Sequence, residues 1–169
     1  MEKLRRSDRS MIKSEIDQLL RTAKIGHLGV CLNNQPYIVP LNFAYENNHI
    51  YFHCADSGQK IQFLRNNPSV CFEVAECNAT TTGLTLCDSD TAYRSVVAFG
   101  TARIVTNLEE KTTALRSIVA KYMGDERARD LGSRTVDKYR SSQGSATTVV
   151  KITIEHMTGK HNVINEQKE

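Results

Sequence analysis

The chain has 169 residues, 40% of them hydrophobic and 24% charged, with a formal net charge of +3. That is chain enough for one globular domain with a sizeable core, and too weakly basic to make nucleic acid an expected partner. No apolar stretch approaches the roughly 20 residues that span a bilayer. The N-terminus is rich in Lys, Arg and Asp and lacks a signal-peptide core, so a cytoplasmic protein with no membrane partner is expected. The five cysteines are odd in number and show no CxxC spacing; Cys31, Cys54 and Cys71 sit in apolar runs and read as small core residues.

Ile12, Ile16, Leu19 and Leu20 form the stripe of an amphipathic helix, with Ser10 as its candidate cap. Leu28, Val30 and Leu32 alternate with His27, Gly29 and Cys31, which predicts a strand over 25–32, and Asn33-Asn34 supplies the turn after it. A second strand is expected over 35–45. Its Pro36 and Pro40 require an edge position, a bulge, or something other than a strand facing those points, because proline gives a ladder no N–H. The segment 49–54 reads as a third strand, followed by Asp56-Ser57-Gly58 and a short helix carrying Ile61, Phe63 and Leu64 before Pro68. Val70, Phe72 and Val74 mark a fourth strand, 78–90 a loop, and 94–105 a fifth strand. Asn107 with Glu110 opens a helix whose stripe is Leu115, Ile118, Val119 and Tyr122. The charged stretch 125–142 is only weakly helical, and 147–154 is the sixth strand. The expected fold is mainly β with peripheral helices, a small antiparallel barrel of six strands in a single domain, 1–169, with tails over 1–10 and 162–169.

Three places have residue types suited to holding a phosphorylated ring. At Ser57-Gly58-Gln59-Lys60 a strand gives way to a helix, and Lys60 stands where a cation opposes the macrodipole. An anion bound there resolves the conflict; a plain surface lysine is the alternative. Tyr93-Arg94-Ser95 offers a guanidinium fork and a hydroxyl for phosphate oxygens, or else Arg94 is a surface residue paired with a carboxylate. At Val39-Pro40-Leu41-Asn42 the proline interrupts the ladder and leaves backbone groups free to address a flat heteroaromatic ring, unless the strand is simply an irregular edge. The five histidines show no metal-ligand spacing, so no metal is expected. Hydrolase elbows and the glycine patterns of Rossmann and P-loop proteins are missing.

The runs Pro36-Tyr37-Ile38-Val39-Pro40-Leu41-Asn42-Phe43, Ile50-Tyr51-Phe52-His53, Gly58-x-Lys60, Tyr93-Arg94-Ser95-Val96-Val97-Ala98-Phe99-Gly100 and Thr158-Gly159-Lys160 resemble, in order and spacing, the pyridoxamine-phosphate-oxidase-like flavoproteins. Their nitroimidazole-resistance branch is the most similar, and the resemblance spans roughly residues 12–160. It implies an FMN-binding split barrel that works as a homodimer with sites built from both subunits. Val39, Pro40, Leu41 and Asn42 would lie along the isoalloxazine, and His53, Cys54 and Ala55 beside it. Lys60, Arg94 and Ser95, with Gly58 and Tyr93, would form the phosphate end. His53 would orient a substrate or donate a proton. The implied activity is an FMN-dependent oxidoreductase, using NAD(P)H to reduce a small acceptor such as a nitroaromatic or a quinone. A flavin- or haem-binding protein without turnover is the alternative, since the family also holds haem and deazaflavin binders; an empty dimeric scaffold is a third. Pyridoxal phosphate synthesis is not expected, because the true oxidases grip their vitamin substrate with a tryptophan and this chain has none.

Overall fold

The computed structural model describes residues 4–82, 85, 89–140 and 144–163. After a short 3-10 turn (Ser7–Arg9), helix α1 (Lys13–Thr22) buries Ile16, Leu19 and Leu20. Strand β1 (Gly26–Leu32) buries Leu28 and Val30 and turns His27 and Cys31 outward. Asn33 and Asn34, at φ 50° and 63°, close the hairpin into β2 (Gln35–Leu41). Asn47 and Asn48 repeat the device, at φ 48° and 64°, between β3 (Ala44–Glu46) and β4 (His49–Ala55); asparagine tolerates this left-handed backbone better than most residues. Helix α2 (Gln59–Asn66) follows, then the long strands β5 (Ser69–Thr81) and β6 (Asp90–Ile104). Helix α3 (Leu108–Met123) starts on the Asn107 side chain, which accepts the Glu110 N–H at 2.9 Å. The short helices α4 (Asp125–Arg129) and α5 (Ser133–Asp137) lead to β7 (Thr147–Asn162).

The seven strands form one antiparallel sheet in the order β2-β1-β5-β6-β7-β4-β3. Strands β2 and β3 stand at its two opposite edges, yet only Asn42 and Phe43 separate them in the chain. Three virtual bonds reach about 11 Å at most, so the sheet must curl until its edges meet. The result is a barrel. Its core holds Phe43, Phe52, Phe72, Leu28, Ile50 and Ile152, and Phe43 meets Phe72 edge-on at 5.0 Å. Among the described residues no helix is long and apolar enough to cross a membrane.

The fold class is the expected one, with five differences of detail. The strand read over 35–45 breaks at Asn42-Phe43 into β2 and β3, so the sheet has seven strands rather than six. At the break the Phe43 N–H leaves the ladder and donates to the Tyr122 hydroxyl at 3.0 Å. The final strand continues past Ile154 to Asn162, which puts Thr158-Gly159-Lys160 inside β7 opposite Val97, Val96 and Ser95. Strand pairing reaches into the stretch 78–90, since β5 runs to Thr81 and β6 begins opposite it at Asp90. Ser10 does not cap α1: Ile12 precedes the helix and donates its N–H to the Glu15 carboxylate at 2.9 Å, while Ser10 bridges to Lys160. Cys31 and Cys77 are exposed and Cys54 and Cys71 half-buried, all with free thiols, so the cysteines are less central to the core than their apolar neighbours imply. Cys87 and Ser141-Ser142 lie outside the described residues.

Candidate functional site

The barrel is incompletely closed. Strand β2 pairs only with β1, which leaves its other edge free, as Pro36 and Pro40 require. Strand β4 pairs with β7 along its whole length, but with β3 only over His49–Tyr51. Its second half, 52–55, therefore also has a free edge. The two free edges diverge from the Asn42-Phe43 corner. They enclose a slot with Val39, Pro40, Leu41 and Asn42 on one bank and His53, Cys54 and Ala55 on the other. In the register set by the two-residue hairpins, Ile38 and Pro40 on one bank and His53 and Ala55 on the other turn their backbone groups to the free edges, while those of Val39 and Leu41 face β1. A protein seldom leaves such groups without a ligand or water to satisfy them.

Beyond Ala55 the chain turns through Gly58, at φ 106°, into α2. A Cβ on Gly58 would meet nothing within 4 Å, so the space in front of the helix is open. The positive φ is what asks for glycine there. The first turn of α2 carries no acidic residue and has Lys60 in it. Its free N–H groups and an ammonium thus face the same end, and the Lys60 Nζ lies 5.6 Å from the centre of the buried Phe52 ring. A groove of about 800 Å³ runs from Ser57 and Gly58 past Gln35 and Arg65.

His53 is where these features converge. The residue keeps a side open to solvent. Burial against neighbouring protein, and then the Lys60 ammonium, hold its pKa below the ordinary imidazole value. The ring is therefore neutral at pH 7 and has one N–H to give and one lone pair to receive. Burial pushes the neighbouring Cys54 thiol up, only partly countered by Lys60, so it stays protonated. At the closed corner of the slot His53 and Asn42 line a cavity of about 290 Å³ under α3.

Tyr93, Arg94 and Ser95 stand elsewhere. Ala55, at the slot, pairs with Thr147 at the start of β7, whereas Arg94 pairs with His161 near its end. Those positions are 14 residues apart, a strand contour of about 46 Å. Arg94 points inward, with its Nη2 on Glu76 Oε2 at 2.7 Å, which is the carboxylate pairing left open from the sequence. Ser95 alternates to the outer face, beside Val97 and Phe99. One chain therefore brings together Val39 to Asn42, His53 to Ala55, Gly58 and Lys60, and leaves 93–95 apart. Sequence reasoning missed the cavity wall. Leu115, Ile118, Val119 and Tyr122 read only as a core stripe, and Leu131 and Tyr139 fall in a stretch with no clear period.

An incompletely closed antiparallel barrel, with a slot between two free strand edges and a cationic helix start at its end, defines a split barrel by fold. The model of the family described as pyridoxamine 5'-phosphate oxidase matches residues 13–161, and the chain belongs to that family. It is 35% identical over 68 residues to the uncharacterized protein RA0666 of Rhizobium meliloti (strain 1021), a match covering 40% of this chain and 44% of that relative's length. Among solved structures it is similar to a candidate 5-nitroimidazole antibiotic resistance protein of Bacteroides thetaiotaomicron VPI-5482, with 26% identity, a TM-score of 0.69, and coverage of 90% of this chain and 86% of the other. An FAD-binding protein of Mesorhizobium loti shares the fold at 23% identity and a TM-score of 0.64, over 92% and 98% of the two chains.

Proposed function

We propose that the slot holds a flavin, as FMN, and that the protein is an oxidoreductase passing electrons from NAD(P)H to a small acceptor. The observation that carries this reading is the pair of free strand edges leading to the Gly58-Lys60 helix start. A flat ring needs backbone donors and acceptors along one rim, and its phosphate needs N–H groups and a cation. The residues present fit both. On one bank the Pro40 carbonyl and Asn42 are on offer between Val39 and Leu41, whose own backbone bonds to β1, and Pro40 also keeps β2 from extending the sheet; the backbone of His53 and Ala55 faces them. Gly58 lets the backbone approach closely, and Lys60 neutralises part of the phosphate charge. When bound, the flavin supplies the electron chemistry. The chain's own part is to fix the ring, exclude water with α3, and hold the neutral His53 where it can hydrogen-bond an acceptor group.

The working unit on this reading is a homodimer. Ile38, Gly29, Cys71 and Phe99 follow one another in a cross-strand row on the outer face of the sheet, with Ile38 68% and Phe99 41% exposed. A second copy seated on that row would cover it and meet the outward Ser95. This gives 93–95 a role at the partner's site that no single chain allows.

The test is equilibrium FMN binding, read by quenching of flavin fluorescence, for wild type, Lys60→Ala and Arg94→Ala. Loss of a charge-assisted contact lowers affinity by about tenfold or more for Lys60→Ala. Arg94→Ala, whose side chain is held by Glu76, loses less. Unchanged affinity in Lys60→Ala overturns the phosphate assignment.

A further inference from the structure

The 290 Å³ cavity at the closed corner of the slot differs from the slot itself. Its walls are apolar: Leu115, Ile118 and Val119 from α3, and Leu131 from the segment between α4 and α5. Asn42, His53 and the hydroxyls of Tyr122 and Tyr139 are the polar groups of the lining, the Tyr122 hydroxyl being engaged by Lys24 and Phe43; Met123 and Tyr139 are 61% and 47% exposed. Among the described residues no Asp, Glu, Lys or Arg lines it. Apolar side chains left open to solvent around a cavity are unusual unless something is received there.

We propose that this cavity binds a flat, uncharged molecule of one or two rings, with a hydrogen-bond-accepting group turned toward Asn42 and His53. It is the acceptor's place beside the flavin, and in that respect it rests on the flavin reading above. Three features choose the ligand. The volume of about 290 Å³ is roughly twice the 150 Å³ or so that takes a benzene ring, so it admits one or two fused rings and little more. With no counter-charge in the lining, a carboxylate or phosphate would be stripped of water without compensation. Asn42 and His53 in an otherwise mainly apolar lining favour a ligand with a polar group and disfavour one having none, because the two side chains would then lose water without gaining a partner. The same features keep the dinucleotide part of NAD(P)H out of this cavity, so donor and acceptor approach by different routes.

Three probes of equal size separate these terms: acetophenone, benzoate and ethylbenzene, titrated into FMN-saturated protein and followed by protein amide chemical shifts. Acetophenone is expected to bind saturably, about tenfold more tightly than benzoate and several-fold more tightly than ethylbenzene. Val119→Phe, which fills a half-buried wall position, should abolish acetophenone binding and leave FMN affinity unchanged. A thermal melt of the variant reports that it is folded. Benzoate binding as tightly as acetophenone, or acetophenone binding unchanged in Val119→Phe, overturns the proposal. The two readings fail separately. Protein that rejects FMN but still takes acetophenone in a Val119-dependent way removes the flavin and keeps the cavity. Protein that takes FMN but not acetophenone does the reverse.

Discussion

Replacing Tyr122 by Phe tests the corner on which the whole site depends. The Tyr122 hydroxyl donates to the Lys24 carbonyl at 2.6 Å and accepts the Phe43 N–H at 3.0 Å. Phe43 is fully buried, and it belongs to the two-residue link that carries the chain from one edge of the sheet to the other. Removing the oxygen deletes one bond and leaves the Phe43 amide without an acceptor where water enters poorly. A buried donor left unsatisfied costs about 1–3 kcal/mol, so a loss of about 2 kcal/mol is expected. For a chain of this size that lowers Tm by about 4–8 °C. Circular dichroism melts measure the shift, and hydrogen exchange locates it, since the Phe43 amide should lose protection before the β5–β6 ladder does. A Tm change below about 1 °C, with Phe43 still protected, would refute the idea that this hydroxyl fixes the corner.

Other outcomes follow from single contacts. A Cβ at Gly100 would lie 2.0 Å from the Thr153 carbonyl oxygen, at the bulge between β6 and β7; Gly100→Ala should cost about 3 kcal/mol or more and lower Tm by at least about 6 °C. Lys60→Met removes the positive charge that helps depress His53, so the His53 pKa should rise toward its ordinary value, as read from its ring proton shifts against pH. Burial, and then Lys24, push the Lys121 ammonium down to about 8 from the usual 10.5. The unfolded chain therefore binds more protons between those values, and stability gains as pH rises from about 8 to about 10.5. Denaturant titrations across that window should show the gain in wild type and a flatter profile in Lys121→Met. Phe99→Glu puts a charge in the exposed cross-strand row and should convert the proposed dimer to monomer in light-scattering chromatography; a wild type that is already monomeric removes the dimer.

Much of the fold was legible because period-two and period-3.6 patterns follow directly from which side chains must be buried. The prolines correctly marked β2 as an edge, and Asn33-Asn34 marked the hairpin that leads into it. What the patterns missed has local causes. Leu41, Phe43 and Tyr45 keep alternating straight through the break between β2 and β3, so alternation cannot reveal it. The interruption is made by a hydroxyl 79 residues away. The second half of β7 was missed because the bulge opposite Phe99 and Gly100 shifts the register. Inward positions then change from Ile152 and Ile154 to Met157 and Gly159, and the alternation is lost. The slot residues were found because Pro40, Gly58 and Lys60 each break a local rule. The cavity wall breaks none, and Leu115, Ile118 and Val119 look like any helix stripe. Whether Arg94 stood free or met a carboxylate depended on the β5–β6 register that brings Glu76 beside it.

The visible absorption spectrum of the purified protein, recorded before and after incubation with FMN and removal of the excess, tests the central claim most directly. The expected result is the pair of bands of oxidised flavin, retained through desalting and lost in Lys60→Ala. A spectrum that stays flat after FMN contradicts the flavin assignment, and a Soret band in its place would turn the same slot and histidine toward haem.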